Sequence, residues 1–171
     1  MAAVGVRLRK LRMVSAIICV LGLILSFYAY YVEMEKEHNK NYKALCDISD
    51  HMSCSTVFTS KYGRGFGLLS YIVGSDSQLN IPNSLFGIVF YILQMALGQS
   101  TNPFLTKVEI SSAFVSNLGS LYLAYILYFI LHDFCVLCVS TYVVNALLLA
   151  CACYKLGKLQ AVRLKQEKKE E

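Results

Sequence analysis

The chain has 171 residues, of which 56% are hydrophobic and only 16% charged, with a formal net charge of +5 and a mean hydropathy of +0.51. That is too apolar for an ordinary soluble domain and long enough for several membrane spans. The basic residues gather at the two ends of the chain, as membrane flanks do, so the charge gives no reason to invoke a nucleic-acid partner.

Residues 1–12 form a basic arm with Arg7, Arg9, Lys10 and Arg12, and 13–32 then runs apolar for the length of a bilayer span. The run is longer than the apolar region of a signal peptide. Its end, with Phe27, Tyr28, Tyr30 and Tyr31, is a poor small-residue cleavage site. The segment 33–80 is polar and mixed. It holds Cys46 and Cys54, a glycine run at Gly63, Gly65 and Gly67, and an apolar patch at 68–73 that can dip into a membrane surface but not cross it. The glycine run has the wrong spacing for a phosphate loop and reads as tight turns. A helix start follows around Pro82, with Asn83 or Ser84 as cap, and opens a second span at 84–98. A short turn leads to a third span, 108–131. A tight turn at His132 and Asp133, with Asp133 as candidate N-cap, leads to a fourth, 134–153. The tail 154–171 is basic, helical and then frayed.

The expected architecture is an all-α integral membrane protein, a four-transmembrane-helix bundle with one large loop between helices one and two. Four spans put both termini on one side, and both carry basic clusters, so the positive-inside rule makes them cytosolic. The 33–80 loop and the turn at 132–133 then share the opposite face, and with them Cys46, Cys54, Cys135 and Cys138. Lys168 and Lys169 stand fourth and third from the end of the sequence, which resembles the retrieval signal of endoplasmic-reticulum membrane proteins. The loop is accordingly expected in the lumen, where disulfides form.

Cys135 and Cys138 are three residues apart at a helix start, where both sulfurs can share a face and free N–H groups favour a thiolate. Cys19, Cys151 and Cys153 lie in apolar helices and read as packing. For the other four, three readings stand: a zinc site drawing on His51, two permanent bridges, or a relay passing electron pairs between two dithiols. Cys46 and Cys54 are eight apart, not a zinc-knuckle spacing. The relay fits the spacing and compartment best. Asn83 and Tyr142 carry donors suited to a carbonyl or epoxide oxygen, although the first also reads as a helix cap and the second as an interface anchor. Phe86 and Phe90 share a face with Asn83, and Val57 and Phe58 follow Cys54 on the loop. They can close an apolar pocket or simply pack a core.

Five motifs in order resemble the vitamin K epoxide reductases of animals along nearly the whole chain: Tyr42-Lys43-Ala44-Leu45-Cys46-Asp47, Ser53-Cys54-Ser55, the stretch from Gly63 to Leu68, the stretch from Leu79 to Gly87 with Asn80, Asn83 and Ser84, and Asp133-Phe134-Cys135 with Cys138, Thr141 and Tyr142. The resemblance implies a four-helix bundle of the endoplasmic-reticulum membrane with a lumenal active site. It implies reduction of vitamin K 2,3-epoxide to the quinone and of the quinone to the hydroquinone, with no tightly bound cofactor and a thiol reductant delivered by a lumenal thioredoxin-like oxidoreductase. It makes Cys138 the attacking thiolate, Cys135 its resolving partner, and Cys46 and Cys54 the shuttle pair, with Cys54 exchanging with Cys135. Asn83 and Tyr142 would hold the two quinone oxygens, and 4-hydroxycoumarin anticoagulants would use the same pocket. Tyr62 stands where the family has tryptophan. Two other functions use the same residues differently: a quinone-driven disulfide generator that oxidises lumenal partners, and a non-catalytic four-span scaffold with structural disulfides.

Overall fold

The computed structural model describes residues 2–49, 52–68 and 80–170. Its elements are α1 (Ala2–His38), α2 (Cys54–Thr59), a 3-10 turn (Gly65–Gly67), α3 (Asn83–Gly98), α4 (Pro103–Phe129) and α5 (Val136–Glu170). Among the described residues there is no strand, only isolated bridges at Ser49–Met52 and Arg64–Pro82. The chain is all-helical, as expected. Three helical segments, Gly5–His38, Pro103–Phe129 and Val136–Leu164, are long and apolar enough to cross a membrane, while Asn83–Gly98 is apolar but shorter.

The helix ends differ from the sequence reading for identifiable reasons. The basic arm and the first residues assigned to the loop are both part of α1, because nothing between Ala2 and His38 breaks the helical ladder. Nor does the tail form a separate element, since α5 runs through it to Glu170. In α3 the N-cap is Pro82, without a side-chain bond, so neither Asn83 nor Ser84 caps its own helix. In α4, Asn102 accepts the Phe104 N–H at 2.9 Å and Pro103 takes the first turn, where its missing N–H is harmless. Asp133 is not the N-cap of α5. Its carboxylate turns back onto the Phe134 N–H at 3.0 Å, and the helix starts at Val136, after His132 makes the reversal with a φ of 51°. Of the apolar patch 68–73, only Leu68 lies among the described residues, and it is exposed.

Packing is inverted relative to a soluble bundle. Ile17, Ile24, Phe27, Leu121, Val143 and Leu147 face outward, while Gln94, Glu109, Asn145 and Lys155 are buried. That distribution suits a hydrocarbon surround, in which the apolar exterior costs nothing and polar groups must be satisfied within. Small residues let α1 and α3 approach closely. A Cβ on Gly87 would lie 2.6 Å from the Ser26 hydroxyl, and one on Gly22 would overlap the Tyr91 ring. The two helices run side by side along the apolar part of α1. Ser84 reaches Glu33 at 3.4 Å at one end, and Gln99 donates to the Arg12 carbonyl at 3.4 Å at the other. In the middle, Tyr91 donates to Asn145 at 2.9 Å and Asn145 to Ser120 at 2.9 Å, which ties α3, α5 and α4 together.

At the end far from Cys135, the Lys155 ammonium lies 2.6 Å from Glu109, both side chains almost fully buried, and donates to the Gly98 carbonyl at 3.1 Å. A lysine of α5 therefore satisfies the C-terminus of short α3 and a carboxylate of α4 at once. Lys155→Met should strand the Glu109 charge and lower stability by about 3–5 kcal/mol, whereas Lys155→Met combined with Glu109→Leu should recover most of the loss. Denaturant unfolding of the two variants in detergent measures the difference.

Candidate active site

Cys135 directly precedes α5, and its Sγ accepts the Cys138 N–H at 3.2 Å, the i to i+3 geometry of an N-cap. The cap expected at Asp133 is thus supplied by a cysteine. A sulfur carrying negative charge during thiol exchange is met there by a backbone donor at a helix N-terminus. Cys135 is fully buried in an apolar cluster with Cys54, Leu127 and Leu137, against which Cys46, Val57, Phe58 and Cys138 also pack. All four cysteines therefore converge on one cluster, although the two pairs are far apart in sequence.

The pairs differ in oxidation state. Cys46 and Cys54 are joined by a disulfide with a Cα–Cα distance of 5.8 Å, while Cys135 and Cys138 are free thiols. The bond removes Cys46 and Cys54 as thiolate metal ligands, which takes two of the four sulfur donors from the zinc reading; His51 lies outside the described residues. Cys19 is buried and Cys151 half-buried, as expected for packing, whereas Cys153 is exposed on the outside of α5 and does not pack a core.

The loop that carries the disulfide is built around Asp47. Its carboxylate accepts the Ala44 N–H at 2.8 Å, the Ser55 N–H at 3.0 Å and the Ser53 hydroxyl at 3.0 Å. Partial burial raises the carboxyl's pKa, but these donors outweigh it and hold the group below its ordinary value. Ser53 also caps α2 by accepting the Thr56 N–H at 3.2 Å. The caps fix the start of α2, so Cys54 faces inward and Val57 and Phe58 follow on the same side.

A cavity of about 990 Å³ opens beside these thiols. Cys138 and Tyr142 of α5 line it, as do Asn83, Phe86 and Phe90 of α3 and Val57 and Phe58 of α2; the wall is mainly apolar. Every residue expected to contact substrate therefore faces one space. Its size lies at the upper end of small-molecule sites. Cys138 is in the lining and Cys135 is not, so the two free thiols have different neighbours, one the cavity and the other the loop disulfide.

Asn83 has more to do than the sequence suggested. Its Oδ1 accepts the Phe66 N–H at 2.8 Å and its Nδ2 donates to the Tyr62 carbonyl at 2.7 Å, so among the described residues one amide hydrogen is left for a group in the cavity. The glycine run is a tight turn, as expected, with Gly65, Phe66 and Gly67 consecutively left-handed at φ of 52°, 58° and 70°. For Phe66 that conformation costs about 1–2 kcal/mol, and the bond from Asn83 offsets it. It brings the Phe66 ring to 5.5 Å from that of Phe86. Two features were missed by sequence reasoning: Glu33, buried in the cavity wall and bonded to Arg64 at 3.2 Å, and the Tyr91–Asn145–Ser120 network, which also lines the cavity. The spacing of Glu33 and Glu37, one helical turn apart at the polar end of a span, was the available signal for the first.

These features define a helical membrane protein with two cysteine pairs gathered at the wall of an apolar cavity. The profile of the vitamin K epoxide reductase family matches residues 13–153, and the chain belongs to that family. It is 48% identical to "Vitamin K epoxide reductase complex subunit 1" of Rattus norvegicus over 129 residues, which is 75% of this chain and 80% of the rat protein. The protein of the same name from Mus musculus is 45% identical over 141 residues, 82% of this chain and 88% of its own length.

Asp47→Asn keeps the shape and removes the charge that gathers three donors. Each weakened bond is worth about 1 kcal/mol, so the loop should open more readily and dithiothreitol should reduce Cys46–Cys54 about fivefold faster at neutral pH. Because the folded carboxyl lies below its ordinary value, its contribution to the wild-type loop is complete above the usual carboxylate range and is lost as pH falls through the folded value. Hydrogen exchange at the Ala44 and Ser55 amides, corrected for intrinsic rates, checks that sign.

Proposed function

We propose that this protein reduces vitamin K 2,3-epoxide to the quinone and the quinone to the hydroquinone, supporting the vitamin K cycle and gamma-carboxylation. The observation that carries the reading is that Cys138 faces a large apolar cavity while its partner Cys135 packs against the Cys46–Cys54 disulfide. An apolar ring system and its electron source can meet there without water.

The Cys138 thiolate attacks the substrate ring. The electron pair moves onto a ring oxygen, which takes a proton. The Cys135 thiolate then attacks the Cys138 sulfur, forms the Cys135–Cys138 disulfide and releases product. With the epoxide the dithiol's two hydrogens leave as water; with the quinone they remain on the hydroquinone. Asn83 and Tyr142 donate to the two oxygens as charge develops. Phe86, Phe90, Val57 and Phe58 hold the ring. Reset runs outward. A lumenal thioredoxin-like dithiol reduces Cys46–Cys54 through Cys46, and Cys54 then attacks Cys135, regenerating the inner thiols and the outer disulfide. A bonded outer pair beside a free inner pair is the state that follows this transfer, with the inner dithiol ready for substrate and the outer disulfide ready for its reductant. A scaffold has no use for a free thiol facing an apolar cavity.

The protein works in this reading as a four-span protein of the endoplasmic-reticulum membrane, with both termini cytosolic and the 33–80 loop lumenal. Helix α3 is the fourth span. Its 16 residues cover only about 24 Å, yet it is bonded near Glu33 at one end and near Arg12 at the other, which bracket the apolar run of α1. In this reading no cofactor is tightly bound, the vitamin K species is substrate, and 4-hydroxycoumarins should compete for the same cavity.

Epoxide turnover by the purified protein with a small dithiol tests the reading directly. Cys138→Ala and Cys135→Ala should abolish it with any reductant. Cys46→Ala should be mild with the small dithiol, which bypasses the shuttle, and severe with a protein donor; equal losses in both assays would overturn the relay.

Tyr142→Phe removes one hydroxyl and keeps the ring. Loss of a donor to a developing oxyanion costs on the order of 3 kcal/mol, about 100-fold in rate, whereas loss of a ground-state bond to a neutral carbonyl costs nearer 1 kcal/mol, about fivefold. Turnover and coumarin inhibition measured side by side should both fall. If both stay within about twofold of wild type while Cys138 remains reactive, the hydroxyl is not part of the site.

A further inference from the structure

The turn that roofs the cavity is held from two sides. On one side the start of α3 holds it: the Asn83 amide bonds Tyr62 and Phe66, the Asn83 N–H donates to the Gly63 carbonyl at 2.9 Å, and the Gly65 N–H donates to the Ile81 carbonyl at 3.0 Å. On the other side stands Arg64, whose Nε bonds Glu33 at 3.2 Å and whose terminal nitrogen bonds Glu37. Both carboxylates lie on α1, one helical turn apart. The left-handed conformation of Phe66 at the centre of the turn is costly for a residue with a side chain, so these outside bonds favour the shape that the turn holds.

The two carboxylates are not equivalent. The Glu37 side chain is 45% exposed and its bond is screened by water, but the Glu33 side chain is only 3% exposed. Glu33 lines the cavity beside Asn83 and Ser84 and is the one charged side chain among the described residues of its wall. Besides Arg64, its polar neighbour across the wall is the Ser84 hydroxyl at 3.4 Å, and Glu37 is the like charge on its own helix. If the turn swings away, Arg64 leaves with it and a buried carboxylate is left facing an apolar cavity with a single hydroxyl. That penalty favours the closed turn.

We propose that Glu33 and Arg64 are a positioning pair for the reduction: the grip of α1 on Arg64 keeps the 62–68 turn closed, and with it Phe66 and the Asn83 amide against the substrate ring. The inference rests on the reductase reading above. Arg64 and Glu33 act through the turn and take no part in the electron or proton transfers.

The test uses the full chain in lipid nanodiscs, with phylloquinone epoxide and dithiothreitol as substrates. Arg64→Met should raise KM by about tenfold or more while kcat changes by less than about threefold, the pattern of lost binding without lost chemistry. Hydrogen exchange at the Gly65 and Phe66 amides should accelerate in the same variant. Arg64→Lys should recover part of both effects, Glu33→Gln should resemble Arg64→Met, and the double variant should be no worse than either single one. The proposal is overturned if Arg64→Met lowers the melting temperature but leaves KM and exchange unchanged, since the pair is then only structural. It is also overturned if Glu33→Gln abolishes kcat at unchanged KM and removes an ionisation from the kcat–pH profile, since Glu33 is then a proton donor. A wild-type protein inactive on both epoxide and quinone would sink the reductase reading instead, and the exchange comparison would still decide whether the pair closes the turn.

Discussion

Polar groups inside this bundle have no water to turn to, and that constraint shapes nearly everything around the cavity. With an apolar exterior facing hydrocarbon, each buried donor or acceptor has to find a partner on another helix. Lys155 meets Glu109 and the end of α3, Asn145 joins Tyr91 to Ser120, and Glu33 meets Arg64. Each bond crosses between elements, so the polar residues decide which helices neighbour which. Apolar side chains supply contact area but little preference for register.

The same constraint governs the cysteines. Four sulfurs are collected in or against one apolar cluster, yet the helix start at Cys135 gives one of them a backbone donor. Cys138, a turn further on, faces the cavity. Two chemically identical side chains three residues apart thus acquire different neighbours from helix geometry alone: one looks toward the loop disulfide and the other toward the cavity. Asp47, anchoring the loop through three donors, holds the disulfide in register with that arrangement.

The apolar runs were legible because a bilayer-length run has few alternatives, and the Cys-x-x-Cys at a helix start was legible because spacing alone puts both sulfurs in one turn. Helix ends were harder. Asp133 has the composition of a cap, but its carboxylate bonds the adjacent Phe134 amide and a cysteine takes the position. Asn83 was read as a donor to a ligand or a cap, and it turns out to be tied to a loop residue 21 positions away in sequence. Glu109 sits within an apolar helix, and it is buried because Lys155 comes from another helix to meet it. Each of these depends on a partner distant in the chain, and local composition carries no record of such a partner. Family resemblance brought the cavity residues together in advance, whereas the Glu33–Arg64 contact had no motif to announce it.

Tyr62 enters the roof through its carbonyl oxygen, the atom to which Asn83 donates, and the main chain offers that atom whatever side chain is attached. The ring at this position lines the cavity and can be exchanged without loosening the tie. Shape of the cavity wall and closure of its roof are therefore written in different atoms of one residue. A lineage can retune which ring systems it admits by changing the first while inheriting the second intact.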